Sequence, residues 1–172
     1  MRSQLVDVYE RTLRAAPRAQ VRVLTYPPLF TLSKRSGGCR IARIHPLQLV
    51  IPADVEHQFA LDEQKANAAI VSAVNQVRSE PGGDRLRLVD VEAAFGGYLE
   101  DGHTVSCGDT GRPTPWINSA RVSLSAGQTL LSDVAALDLR QLSIDVFDIY
   151  SASFHPTAEG QRRMAAALQS TL

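Results

Sequence analysis

The stretch from Leu61 to Val91 constrains the fold more than any other part of the chain. Ala66, Ile70, Ala73, Val74 and Val77 fall on one helical face, and Asp62, Glu63 and Lys65 stay off it. Pro81-Gly82-Gly83-Asp84 then breaks the chain, and Leu86, Leu88, Val89 and Val91 follow as a run apolar enough to be a buried strand. An amphipathic helix feeding such a strand is a unit of an α/β sheet. A second unit precedes it. Leu5, Val8, Tyr9, Thr12 and Leu13 have helical spacing over residues 4 to 15, Pro17 stops the helix, and Val21, Val23 and Leu24 predict a strand over about 20 to 25. That strand ends at Tyr26-Pro27-Pro28, because proline cannot extend a central ladder. The expectation is one α/β domain over residues 1 to 172.

The remaining segments are less regular. Residues 31 to 56 show no sustained period, carry the turn residues Ser36-Gly37-Gly38 and the prolines Pro46 and Pro52, and predict an irregular insertion. Residues 96 to 120 are loop-like, and 121 to 150 are ambiguous between a helix and an insertion. Thr157 is placed to cap a final helix with Glu159 in its first turn and Met164, Ala165, Leu168 and Leu172 on its apolar face.

Eighteen Lys and Arg balance eighteen Asp and Glu, so no net field draws the chain to nucleic acid or anionic lipid. No run approaches the roughly 18 apolar residues of a membrane span, and the charges at Arg2, Asp7, Glu10, Arg11, Arg14 and Arg18 break up any signal-peptide pattern in residues 1 to 20. Cys39 and Cys107 leave open a disulfide, two separate buried thiols or part of a metal site.

Among side chains with chemistry, His155 precedes the last helix in Ser153-Phe154-His155-Pro156-Thr157-Ala158-Glu159-Gly160, a loop position suited to a general base or to a plain surface histidine. His103, Cys107 and Asp109 lie close in sequence, but three unlike donors at spacings of four and two match no standard zinc pattern and read as chance clustering. His45 and His57 read as solvated loop residues. Asp90, at a strand's carboxyl end, reads either as a functional carboxylate or, more simply, as the cap of a following turn.

The order of several short pieces resembles the SGNH, or GDSL-type, serine hydrolases, in particular their secreted lipase- and esterase-like branch. These pieces are Val21 to Tyr26-Pro27, the Ala- and Asn-bearing helix Leu61 to Val77, and Val89-Asp90-Val91 leading to Phe95-Gly96. Cys107 ahead of Trp116-Ile117-Asn118 and the block Phe154-His155-Pro156 to Gly160 complete the set. The resemblance covers most of the chain. It implies a three-layer α/β/α domain of flavodoxin-like type, present as its carboxyl-terminal portion, and hydrolysis of small or lipid-like carboxylic esters without metal or organic cofactor. His155 would be the general base, Cys39 and Cys107 would form a disulfide, and Trp116 would line the mouth of an acyl pocket or anchor packing. It also implies export.

The departures from that pattern are informative. Three residues before His155, where the family often has the orienting Asp, stands Ala152, so the main-chain carbonyl of Ala152 or Ser153 would have to hold the imidazole. Thr157 replaces the usual Asn. The chain has no Gly-Asp-Ser block, since Gly83-Asp84-Arg85 and Gly108-Asp109-Thr110 lack the serine and Thr110 lies outside a strand-to-helix elbow. A base without nucleophile or oxyanion hole predicts little or no esterase activity. It also predicts an unpaired sheet edge beside the strand at 20 to 25, open to self-association or to a partner, so that a noncatalytic binding or assembly module is the alternative.

Overall fold

The computed structural model describes residues 1–33, 37–44, 47–99, 102–105, 107, 114–118, 122–124, 147–149 and 155–172. It is a mixed helix and strand protein built on a small parallel sheet. Helix α1 (Arg2–Ala15) leads to strand β1 (Val21–Leu24), the antiparallel strands β2 (Cys39–Ile44) and β3 (Leu47–Ile51), and the long helix α2 (Ala53–Arg78). Strand β4 (Leu86–Val89), the single turn α3 (Val91–Ala94), the short strands β5 (Val122–Leu124) and β6 (Phe147–Ile149), and helix α4 (Ala158–Gln169) complete it.

β1 and β4 pair in parallel, Val21 opposite Leu86 through Leu24 opposite Val89, and Thr25 extends the ladder by donating its N–H to the Val89 carbonyl at 3.1 Å. Alternation along the two strands splits the core in two. Val21, Val23, Leu86 and Leu88 pack with Tyr9 and Leu13 of α1 and with Ile70, Val74 and Val77 of α2. Leu24 and Val89 belong to a second cluster with Phe95, Trp116, Ile117 and the α4 residues Met164, Ala167 and Leu168. Arg85 fastens α1 by donating to the carbonyls of Ala16 (3.0 Å) and Leu13 (3.2 Å), which a helix C-terminus leaves open. The α2-to-β4 turn needs its glycines: Gly82 has φ +78°, and a Cβ on Gly83 would overlap the Val77 carbonyl.

The predicted helices and strands at 4 to 15, 20 to 25 and 86 to 91 are present, with Val91 starting α3 instead of ending β4. Residues 31 to 56 are not simply irregular. They hold the β2–β3 hairpin, and α2 starts at Ala53, eight residues before Leu61, with Asp54 and Glu56 in its first turn. The antiparallel pair β5–β6 gives parts of 121 to 150 strand structure, neither helical nor wholly irregular. No helix among the described residues is long and apolar enough to cross a membrane. Among the described residues β4 is the one strand paired with β1, whose four residues are all half-buried.

Candidate functional site

The loops leaving the carboxyl ends of β1 and β4, where open α/β sheets place their sites, meet through a chain of main-chain contacts. Val105 donates to the Leu29 carbonyl at 3.0 Å and bridges Ile117, and Ile117 bridges Pro156 on its other side. The main-chain N–H of Asn118 and its Nδ2 both donate to the His155 carbonyl, at 3.0 and 3.1 Å, while Thr157 donates to the Trp116 carbonyl at 2.7 Å. Gly160 completes the fit, because a Cβ there would overlap the Trp116 carbonyl. The sequence pieces Trp116-Ile117-Asn118 and His155-Pro156-Thr157-Gly160 are therefore one unit in space. His155 is exposed on it, and Thr157 caps α4 through a 3.2 Å bond accepted from Gly160 N–H. Ala152, Ser153, Phe154, Asp109, Thr110 and His45 lie outside the described residues.

Trp116 is a packing anchor. It is 7% exposed, makes an edge-to-face contact with Phe95 at 5.3 Å, stacks flat on His103 at 3.5 Å, and has the Arg163 guanidinium 5.0 Å from its ring centre. His103 Nδ1 is engaged with the Thr114 carbonyl at 2.7 Å. Cys107 is bonded to Cys39, 68 residues away, and both sulfurs are buried. Neither sulfur is then a thiolate, so Cys107 is no partner for His103 in a metal site, and the buried group Cys39, Glu56 and Cys107 holds no metal either. Asp90 caps α3, its carboxylate accepting from Ala93 N–H at 2.9 Å, which is the plainer of its two readings. His57 is not a solvated loop residue. It lies in α2, half-buried, with Nδ1 2.8 Å from the Leu32 carbonyl.

No family model, curated protein or solved structure matches this chain.

One polar cluster here escapes the sequence reading. Asn67, 1% exposed on α2, accepts from Tyr26 N–H at 2.8 Å and offers Nδ2 to three oxygens: the Tyr26 carbonyl (3.0 Å), Glu92 Oε2 (2.9 Å) and the Tyr98 hydroxyl (3.1 Å). Two hydrogens are thus shared among three acceptors. Thr25 Oγ1 accepts from Glu92 N–H at 3.0 Å, and Glu63 accepts from Leu29 N–H at 2.9 Å. Thr25, Asn67, Asp90 and Glu92 line a groove of about 510 Å³ that also reaches Ser72 and Asn75. Burial pushes the Glu63 carboxyl up to about 7, helped by the neighbouring Glu92 charge and opposed by the Leu29 bond. Burial, with the Glu63 and Glu92 charges adding to it, also raises the Tyr98 phenol. Glu63 is not in the groove wall, so its proton bears on stability and not on a reaction there.

The sign follows from linkage. A carboxyl whose folded value is raised from 4.5 to about 7 contributes stability that is full below pH 4.5 and lost as pH rises through 7. Allowing for partial solvent screening, the loss is on the order of 2 kcal/mol. Glu63→Gln keeps an acceptor for Leu29 and is expected to flatten that fall, leaving the variant more stable than the parent at pH 8 and little changed at pH 4.5. Urea unfolding across pH 4.5 to 8.5 checks this, and parallel curves for the two proteins would refute it.

Proposed function

We propose that the chain carries the carboxyl-terminal elements of an SGNH-type ester hydrolase domain, with His155 as general base and the sheet flanked by helices as the inner layer of an α/β/α arrangement. The observation that supports the reading most is that pieces quoted for the resemblance, far apart in sequence, pair in space. Tyr26 is bridged by Asn67 through both its N–H and its carbonyl, and Trp116 to Asn118 is laced to His155, Pro156 and Thr157. A buried Cys39–Cys107 bond suits the exported branch, since such bonds persist in oxidising compartments. His155 would take the proton of an attacking serine and return it to the leaving alcohol, its ring held by a main-chain carbonyl at Ala152 or Ser153. With no Gly-Asp-Ser block in its 172 residues, this chain supplies the base and not the nucleophile. The alternative, a binding or assembly module that completes its sheet with another chain, draws on the two-stranded parallel sheet among the described residues.

Fluorophosphonate labelling beside hydrolysis of a short-chain p-nitrophenyl ester tests the reading. The 172-residue chain is expected to show neither label nor turnover. Extending expression upstream in the same reading frame is expected to introduce a labelled serine and turnover that falls at least about 10³-fold in His155→Ala. An upstream frame without such a serine, or activity indifferent to His155→Ala, would leave the module reading in its place.

A further inference from the structure

At the opposite end of the parallel strands lies a second groove, of about 610 Å³, walled by three arginines from three elements: Arg22 of β1, Arg87 of β4 and Arg78 at the end of α2. Arg22 and Arg87 are register partners, directly opposite each other. Like charges at such positions repel, and among the described residues none of the three has a carboxylate partner. No Asp or Glu side chain is among the lining residues, and the α-carboxylate of Leu172, the one anionic group on that wall, makes no ion pair with the three arginines. Arg22 is pre-set, its Nε donating to Thr171 Oγ1 at 3.3 Å and its Nη2 to the Thr171 carbonyl at 3.1 Å. The hydroxyls of Ser170 and Thr171 donate back into α4 carbonyls, so the attraction the groove offers is the guanidinium groups' own. The chain as a whole is neutral, which makes this a local concentration of positive charge and not a general one.

We propose that this groove binds the phosphate of a phosphorylated molecule, with Arg22, Arg78 and Arg87 around the oxyanion. Guanidinium forks match phosphate oxygens in pairs, and an anion between Arg22 and Arg87 removes the repulsion across the ladder. The volume leaves room for a small organic group beside the phosphate. The proposal is independent of the ester-hydrolase reading.

Thermal unfolding with inorganic phosphate, against sodium chloride at equal ionic strength, is the test. At about ten times its Kd, phosphate is expected to raise Tm by about 3 to 6 °C, and the exposed double variant Arg78→Gln/Arg87→Gln is expected to lose that rise. Its own Tm in chloride serves as the folding control, and Arg87→Gln alone gives a milder variant. A phosphate effect no larger than that of chloride, or undiminished in the double variant, overturns the proposal. Co-sedimentation with phosphatidate and phosphatidylcholine vesicles separates the sources. Capture on phosphatidate alone, lost in the double variant, assigns a lipid headgroup, and a Tm rise without capture assigns a soluble phosphate ester. Capture that survives in the double variant counts against the site.

Discussion

Breaking the Cys39–Cys107 bond is expected to lower the midpoint of thermal unfolding by about 10 °C, whether by reduction or by the double change Cys39→Ala/Cys107→Ala. The bond closes 68 residues of chain, and cross-linking a loop of that length restricts the unfolded ensemble by about 4 kcal/mol in the chain-entropy account. Its position adds to this. Cys39 opens the β2–β3 hairpin opposite Ile51, just before α2, and Cys107 follows Val105, which is tied to Leu29 and Ile117. Both cysteines sit in the same apolar cluster as Phe30, Phe95 and Trp116. Opening the bond frees the hairpin from the loops that present His155, so the emission of Trp116, the one tryptophan of the chain, is expected to change with the calorimetric transition. Scanning calorimetry with and without a phosphine reductant measures it. A midpoint within 2 °C or so of the oxidised protein would show that native packing alone holds the hairpin.

Legibility in the sequence followed the range of the interaction. Helix and strand periods are local, and α1, β1, α2, β4 and α4 were visible as amphipathic or apolar runs with their stops. The caps at Asp90 and Thr157 are equally local, each needing a backbone N–H three residues ahead. The β2–β3 hairpin was not, because its pairing carries a register shift between Arg40 and Ala42 that breaks strict alternation. The polar side of α2's contact with the sheet is hidden for another reason. Charge alone puts Glu63 with Asp62 and Lys65 off the apolar face, yet Glu63, Asn67, Ile70 and Val74 follow i, i+4, i+7 and i+11, so the half-buried Glu63 lies in line with the buried stripe of α2. Polar residues on such a stripe signal a buried hydrogen-bond network, and that spacing was the clue available. Its partners at Tyr26, Leu29, Glu92 and Tyr98 are set by tertiary approach, which no window of sequence contains.

Asn67 is where the second large effect is expected. Among the described residues its side chain is what ties α2 to both polar atoms of the Tyr26 main chain, and it also reaches Glu92 and Tyr98. Asn67→Ala strands the Tyr26 N–H and deprives three oxygens of their donor in a site 1% exposed, and leaves a small void besides. Unsatisfied buried groups cost about 1 to 3 kcal/mol each, with water able to rescue some, so a loss of about 3 kcal/mol or more is expected. Asn67→Asp separates hydrogen bonding from shape. It preserves volume and the acceptor for Tyr26 N–H, but it turns lone pairs toward the Tyr26 carbonyl, Glu92 and the Tyr98 oxygen and adds a negative charge near Glu63 and Glu92. At pH 8 the aspartate variant is expected to be at least as unstable as the alanine one. Below pH 5 protonation restores a donor and removes the charge, so its deficit shrinks while that of Asn67→Ala stays nearly constant. Urea unfolding at pH 8 and pH 4.5, followed by Trp116 fluorescence, compares the two. An Asn67→Ala loss under 1 kcal/mol, or equal pH dependence for both variants, would mean that packing around β1 holds the Tyr26 turn without the amide.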